Sequence, residues 1–178
     1  MRMGVVILCL GLLWIPVMAI AQAPATPQRV SDAPLESAEG VVRELYRLVC
    51  VAVGDSTDWN AVRNLFIPEA VIHLRVSKDA SSTFDLEGWI QDFVDFNTKA
   101  RVKERGFEEK IVRMDTLVFR DIAHVLVLYE ARILDSPRPP TVGVDSIELI
   151  RRDNRWWIAA ITNDLPTPEH PVPPQLEE

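Results

Sequence analysis

One long hairpin constrains this chain more than any other stretch. It occupies residues 143–163, where two segments rich in Ile, Val and Trp flank the polar turn 151–155. The alternating side chains predict two antiparallel strands, and apolar residues occur on both faces of the pair. A hairpin with apolar surface on both faces is not stable alone in water, so we expect it to lie inside a larger sheet.

Helical and strand patterns precede this hairpin. Apolar residues at helical spacing predict a long helix over residues 41–53, and a short helix capped by Thr57 or Asp58 follows it. Residues 70–77 alternate as a half-buried strand, and Asp85 caps a third predicted helix. Two more strands are predicted over the ranges 107–118 and 123–133. Three helices, with a strand among them, followed by a four-stranded antiparallel meander indicate an α+β fold.

The N-terminus has the features of a secretory signal peptide. An apolar run follows Arg2, and Ala19 and Ala21 form a small-x-small cleavage site. We expect cleavage after Ala21, export to the periplasm or the medium, and membrane contact only through the signal during export. A retained membrane anchor is the alternative, which the short apolar run and its Pro16 disfavour.

The rest of the chain divides into three parts. Residues 22–36 predict a disordered linker, 37–164 a single folded domain, and 165–178 a Pro-rich extended tail. After cleavage Cys50 is the only thiol, which excludes an intrachain disulfide. The formal net charge of −7 disfavours nucleic acid as a partner, since that requires a basic patch. The His residues have no ligand spacing, and no phosphate-binding loop occurs, so we predict neither metal nor cofactor.

Two stretches carry a family resemblance. They are residues 54–74, GDSTDWNAVRNLFIPEAVIHL, and 143–161, GVDSIELIRRDNRWWIAAI, with an aromatic-rich helix between them. The chain resembles the nuclear transport factor 2-like superfamily in its SnoaL-like bacterial branch. The resemblance implies three N-terminal helices on a strongly curved, mainly antiparallel sheet, which forms a cone with a pocket inside. It also implies homodimers formed through the sheet, but it does not choose a function, because the fold hosts both enzymes and noncatalytic binders.

The resemblance also suggests where catalytic residues would lie. In relatives that resemble ketosteroid isomerase, an Asp base lies near the end of the first strand, where this chain has Leu74. Proton abstraction by that route therefore lacks its base. The same comparison makes Tyr46, on the first helix, the candidate for an oxyanion-side Tyr, although it can equally be a packing residue. A second acid would be Asp145, and a one-residue slip decides whether Asp145 or Ser146 enters the pocket.

Two further polar residues are candidates for catalysis. Glu130 interrupts an apolar strand, although an ion pair with Arg132 or Arg75 on a solvated face explains it better. His73 resembles the catalytic His of dehydratase relatives. If Leu74 faces inward, however, His73 faces the opposite way and belongs to the surface or a dimer interface.

The expected pocket is mainly apolar. If alternation continues along the closing strand, Trp157, Ile161 and Asn163 share its inward face. The aromatics Trp89, Tyr129, Trp156 and Trp157 either fill the core or line the cone. The predicted lining comprises Tyr46, Leu74, Trp89, Trp157, Ile161 and Asn163.

Two classes of function remain open. The expectation is an exported, noncatalytic domain that binds a small hydrophobic molecule or acts as a dimeric interaction module. The alternative is a lyase, cyclase or isomerase with an acid–base pair in the cone. The two classes differ in an observable way, because an enzyme needs at least two polar groups that converge in one closed cavity. Purely apolar walls would favour the binder.

Overall fold

The computed structural model describes residues 33–77 and 79–177. The predicted signal peptide and most of the predicted linker lie outside the described residues. Within the described part of the chain, no helix is both long enough and apolar enough to cross a membrane.

Four α-helices and six strands form the described part of the domain. The helices are α1 (Ala38–Val49), α2 (Trp59–Arg63), α3 (Leu86–Lys99) and α4 (Val102–Arg105). The strands are β1 (Phe66–Ser77), β2 (Ala80–Asp85), β3 (Phe107–Phe119), β4 (Ile122–Ile133), β5 (Thr141–Arg152) and β6 (Arg155–Asp164). Short 3-10 turns at Ala33–Glu36 and Pro174–Leu176 lie at the two ends.

Of the four described helices, three begin at a side-chain cap. The Ser37 hydroxyl accepts a hydrogen bond from the Gly40 amide, and Asp58 and Asp85 cap α2 and α3 in the same way. The sequence pattern did not predict β2, because the segment ASSTFD is short and mostly polar. Nor did it predict α4, a single turn inside a charged segment.

The six strands form one sheet in the order β2-β1-β6-β5-β4-β3. All neighbouring pairs are antiparallel except β1 and β6, which are parallel. Helix α1 packs against β3, β4 and β6, and the core lies between the helices and this inner face of the sheet. Val125, Val127 and Ile147, on β4 and β5, are completely buried there. The α+β class predicted from the sequence is confirmed.

Two β-bulges determine which side chains reach the inner face. In β3 the register shifts between Ile111 and Arg113, so Val112 is the extra residue. In the pairing of β5 with β6, Leu149 lies opposite Ile158 and Glu148 opposite Ala160, so Ala159 is the extra residue. One inserted residue reverses the inward and outward phase of the strand beyond it.

The C-terminal segment is not the extended tail that the prolines predict. It turns at Thr167 and His170, whose backbones exchange hydrogen bonds of 2.9 and 3.1 Å, and it ends in the 3-10 turn near β3. Leu176 in that turn is only 2% exposed. Proline restricts the backbone of this segment, but it does not prevent a following apolar side chain from docking on the sheet. The segment borders a groove on the outer face, beside Val144 and Thr162.

Candidate functional site

A cavity of ≈ 530 Å³ lies between α1, α3 and the inner face of the sheet. Most of its wall is apolar, and α1, α3 and β3 contribute much of it. The main apolar lining residues are Leu45, Val49, Leu74, Trp89, Phe93, Phe96, Phe107, Ile133 and Ile161. Polar side chains from five different elements also reach it, among them Tyr46, Glu109, Tyr129, Asp145 and Asn163.

Four of these polar side chains form one hydrogen-bonded cluster. The Tyr46 hydroxyl donates to Oδ2 of Asp145 at 2.6 Å. The Asn163 amide nitrogen donates to Oδ1 of Asp145 at 2.8 Å and to the Tyr129 hydroxyl oxygen at 2.9 Å. Each Asp145 oxygen therefore has a donor. A carboxylate can only accept, so this contact also fixes the orientation of the Asn163 amide.

The Tyr129 hydroxyl acts as an acceptor in this cluster, so its O–H remains available to donate a hydrogen bond. Because its oxygen accepts from Asn163, its O–H can donate to a group inside the cavity. Burial, and then the charge of Asp145, raise the pKa of Tyr129 well above its ordinary value. Tyr129 is therefore a neutral hydrogen-bond donor across the physiological pH range.

Asp145 is an acid that ionises near neutral pH. Burial raises its pKa to about 6, while the hydrogen bonds from Tyr46 and Asn163 act in the opposite direction. Above this value Asp145 is ionised and can accept a proton.

Glu109 is the second acid of the cavity. It enters from β3 between Phe107 and Ile111, and its backbone amide donates to the Cys50 sulfur at 3.2 Å. Within residues 33–77 and 79–177, no hydrogen bond or ion pair engages its carboxyl group. Glu109 keeps some accessible surface, but that surface faces the cavity rather than bulk water.

The two acids differ in the pH at which they ionise. Burial, and then the charge of Asp145, raise the pKa of Glu109 to about 8. Between about 6 and about 8, Asp145 is ionised while Glu109 keeps its proton. Two carboxyl groups with separated pKa values are the usual basis of paired base and acid roles in one site.

Several predicted residues meet in this cavity. Tyr46 and Asp145 are hydrogen-bonded to each other, and Leu74, Trp89, Ile161 and Asn163 also line the wall. The register places Asp145 opposite the buried Val127, so Asp145 rather than Ser146 is the inward residue. That pairing resolves the one-residue alternative that the sequence left open.

Trp157 requires a correction, because it does not line the cavity. Its neighbours Trp156 and Ile158 are the buried residues of this part of β6. The bulge at Ala159 reverses the phase, so Trp157 faces away although Ile161 and Asn163 face inward. Its ring lies under the Arg155 guanidinium at 3.7 Å, and its indole nitrogen donates to the Arg152 carbonyl.

His73 and Glu130 also lie outside the cavity. The ring nitrogen Nδ1 of His73 is 2.8 Å from the Thr83 hydroxyl of β2, on the outer face. Glu130 is paired across the strands with Lys110, also on the outer face. The Arg partners proposed for it bond elsewhere, since Arg132 pairs with Glu108 and Arg75 with Asp164.

Glu109 is not among the catalytic candidates that the sequence pattern predicts. It lies in FEEKIV, where two adjacent glutamates and a lysine obscure the alternation. The signal that could have identified it is its phase, because Phe107 and Ile111, two residues away on either side, are large and apolar. Among the described residues no group of three His, Cys, Asp or Glu side chains is arranged to hold a metal ion.

Comparison with solved structures identifies the fold. One similar structure is an NTF2-like protein with a cystatin-like fold from Novosphingobium aromaticivorans, with a TM-score of 0.55 and 16% identity over 70% of this chain and 77% of that one. Another is an NTF2-like protein of unknown function from Pseudomonas putida, with a TM-score of 0.57 and 9% identity over 83% and 99% of the two chains. The fold is NTF2-like, that is, nuclear transport factor 2-like.

A third similar structure carries the name of an enzyme. It is described as a proposed dehydratase of the NTF2-like family from Streptomyces avermitilis, with a TM-score of 0.56 and 11% identity over 76% of this chain and 98% of that one. No protein-family model matches the chain, and no curated protein matches it significantly. At these identities the likeness establishes the fold alone.

Proposed function

We propose that this NTF2-like domain is an acid–base catalyst of the lyase or isomerase type, which acts on a small, mainly apolar carbonyl compound. The observation that carries the proposal is the convergence of Asp145, Glu109 and Tyr129 in one cavity with apolar walls. By the criterion that separates the two classes of function, such convergence favours the enzyme over the noncatalytic binder.

The three groups have complementary roles. The Asp145 carboxylate removes a proton from the carbon next to the substrate carbonyl. The Tyr129 hydroxyl donates a hydrogen bond to the carbonyl oxygen, where negative charge develops. Glu109 then delivers its proton, either to a departing hydroxyl group, which leaves as water, or to another carbon of the substrate.

The difference between the pKa values of Glu109 and Asp145 also returns the two carboxyl groups to their starting protonation states. After one turnover Asp145 carries the proton that it removed, and Glu109 is ionised. Because Glu109 has the higher pKa, transfer of one proton from Asp145 to Glu109 is favourable. Loss of water from a β-hydroxy carbonyl compound is thus balanced without a cofactor. The similar structure from Streptomyces avermitilis is named as a proposed dehydratase, which is the same reaction class, but the two chains are related by fold alone.

Proton exchange tests the proposal without knowledge of the natural substrate. The protein is incubated in D₂O with flat bicyclic ketones such as 2-tetralone, and loss of the α-proton signal is followed by NMR. We expect exchange above the buffer rate, reduced roughly 100-fold or more in Asp145→Asn, because this exchange requires only the removal of the α-proton. Glu130→Gln, which changes an acid on the outer face, is the matched control and should keep the wild-type rate.

Two outcomes would contradict the proposal. One is a rate equal to buffer for ketones that calorimetry shows to bind, which would support the noncatalytic binder. The other is a wild-type rate of exchange in Asp145→Asn. Near-ultraviolet circular dichroism of each variant checks that the fold is retained.

Export and dimerisation remain part of the proposed function. Phe119, Ile122 and Leu117 are 70%, 58% and 73% exposed and lie together on the outer face at the β3–β4 turn, which supports pairing through this surface. Sedimentation should give a homodimer that Phe119→Lys weakens, and a monomer at all concentrations would contradict the proposal.

The exported protein should begin at Gln22 when its N-terminus is sequenced, and an intact Met1 would argue for an anchor.

A further inference from the structure

Three arginines lie at the mouth of the cavity, and they differ in whether a carboxylate pairs with them. Arg75 donates two hydrogen bonds to Asp164, of 3.0 and 2.9 Å, and Arg132 pairs with Glu108 at 2.8 Å. The Arg138 side chain also lines the cavity, but no hydrogen bond or ion pair engages its guanidinium among the residues that the structure describes. Arg138 is therefore a rim cation without a compensating carboxylate.

The loop that carries Arg138 is fixed at several points. The loop joins β4 to β5, and the Leu134 amide donates to the Gly106 carbonyl at 3.2 Å. Arg105 donates to Asp135 at 2.8 Å, and the amide of Arg138 itself donates to the Ser136 hydroxyl at 3.2 Å. Pro137, Pro139 and Pro140 restrict the backbone further. A cation on a restrained loop loses little backbone entropy when it binds a ligand.

The interior of the cavity has the opposite electrostatic character from its mouth. Asp145 and Glu109 lie among apolar side chains there, and an anion beside them would be repelled and poorly solvated. An anionic ligand can therefore enter in one orientation only, with its charged group at the rim and its apolar body inside. Asp92, on α3, also reaches the rim, and its charge would direct an anion toward the loop that bears Arg138.

We propose that Arg138 binds a carboxylate of the ligand, so that the substrate class is a small, flat, apolar acid. The guanidinium binds the carboxylate at the rim, while the apolar body lies against Trp89 and Phe93. The reacting carbonyl end lies beside Asp145 and Glu109. Only this last placement rests on the proposed acid–base function, since recognition of the carboxylate depends on the rim alone.

Calorimetric titration with two probes of equal size tests the assignment. The probes are 2-naphthoate and 2-naphthylmethanol, at pH 7.5 and low salt. Wild-type protein should bind the carboxylate about tenfold more tightly than the alcohol, the range expected for a charge-assisted contact. Arg138→Gln should remove this preference and leave the affinity for the alcohol unchanged. Asp92→Asn should strengthen carboxylate binding about twofold.

Arg151→Gln is the matched control, because Arg151 is an exposed arginine of the β5–β6 hairpin and should leave both affinities unchanged. Equal affinities for the two probes in wild-type protein would overturn the proposal. So would a carboxylate preference that persists in Arg138→Gln, since it would place the anion site at Arg75 or Arg132.

The two proposals fail in distinguishable ways. If the domain is not a catalyst, ketone exchange stays at the buffer rate while the carboxylate preference and its loss in Arg138→Gln persist. If Arg138 is not the anion site, neutral ketones still exchange their protons and only the carboxylate preference is absent or insensitive to Arg138→Gln.

Discussion

Glu108 and Glu109 are neighbours in β3, yet they belong to two different chemical environments. Glu108 lies on the outer face, 41% exposed, and pairs with Arg132. Glu109 lies on the inner face, in the cavity, where burial raises its pKa to about 8. The side chains are identical, so the difference comes only from strand alternation, which places successive residues on opposite faces.

The same contrast extends across the sheet. The outer face carries exposed contacts such as the Arg75–Asp164 ion pair and the His124–Glu148 hydrogen bond, which solvent weakens and which contribute little to stability. Among the described residues no cation bonds to Asp145, whose oxygens instead receive neutral donors from Tyr46 and Asn163. Titration is therefore expected to have its main consequences inside the cavity.

The largest expected effect comes from adding one carbon to the inner face. A Cβ at Gly143 would lie 2.3 Å from both Cζ and the hydroxyl oxygen of Tyr129. Gly143→Ala must therefore displace the Tyr129 ring, and we expect a loss of about 3 kcal/mol in unfolding free energy by urea denaturation. Val144→Ala, one residue along on the outer face, should cost less than about 1 kcal/mol. Similar losses in both variants would mean that the faces do not differ in packing.

The second prediction compares the adjacent glutamates directly. The pKa of Glu109 rises from 4.5 to about 8 on folding, so the unfolded chain releases this proton at lower pH than the folded one. Stability is therefore lost as pH rises between these values. Glu109→Gln should gain on the order of 2 kcal/mol over wild type above pH 8 and nothing below pH 4.

Glu108→Gln is the control for this pH dependence. Its carboxyl pairs with Arg132 in solvent, so the substitution should produce no gain that grows with pH. Thermal melts of both variants between pH 4 and pH 9 provide the measurement. A gain in Glu109→Gln that is the same at every pH would show that ionisation is not its cause.

These comparisons also show how far the sequence predicts the molecule. The hairpin, the cap at Asp85 and the α+β class follow from local patterns, which also leave Thr57 and Asp58 as the two candidates for the cap of α2. The resemblance predicts the inward position of Leu74, and it makes Tyr46 and Asp145 candidates without predicting the hydrogen bond between them. Such features depend on spacing within one element or on the general architecture that the resemblance implies.

The errors arise where the phase of a strand cannot be read from its residues. From Trp156 to Ile161 every side chain of β6 is apolar, so the bulge at Ala159 leaves no trace in the pattern, and Trp157 was assigned to the wrong face. The docking of Leu176 was missed for a related reason. A single apolar residue after several prolines has no periodicity, and only the tertiary structure supplies the surface that buries it.

The third prediction concerns the donor that connects α1 to the acid. The 2.6 Å hydrogen bond from Tyr46 lowers the pKa of the Asp145 carboxyl, and Tyr46→Phe removes this bond. The pKa of Asp145 should therefore rise by about one unit, equivalent to about 1.4 kcal/mol. Carbon-13 NMR titration of the carboxyl groups measures this shift without a substrate. Tyr129→Phe, which removes a hydroxyl that bonds to Asn163 instead, should leave the Asp145 pKa near about 6.

The smallest expected effect is on the outer face. His124 and Glu148 are joined by a bond of 2.7 Å, but their side chains are 40% and 55% exposed, so water can replace the interaction. His124→Gln should change the unfolding free energy by less than about 0.5 kcal/mol at both low and high salt.

The inner counterpart is Asn163→Ala, which leaves Tyr129 and one Asp145 oxygen without their donor and should cost about 1 to 3 kcal/mol. Urea denaturation of both variants at one pH makes the comparison, and a loss in His124→Gln as large as that in Asn163→Ala would contradict the division of the sheet into a chemically active face and a solvated one.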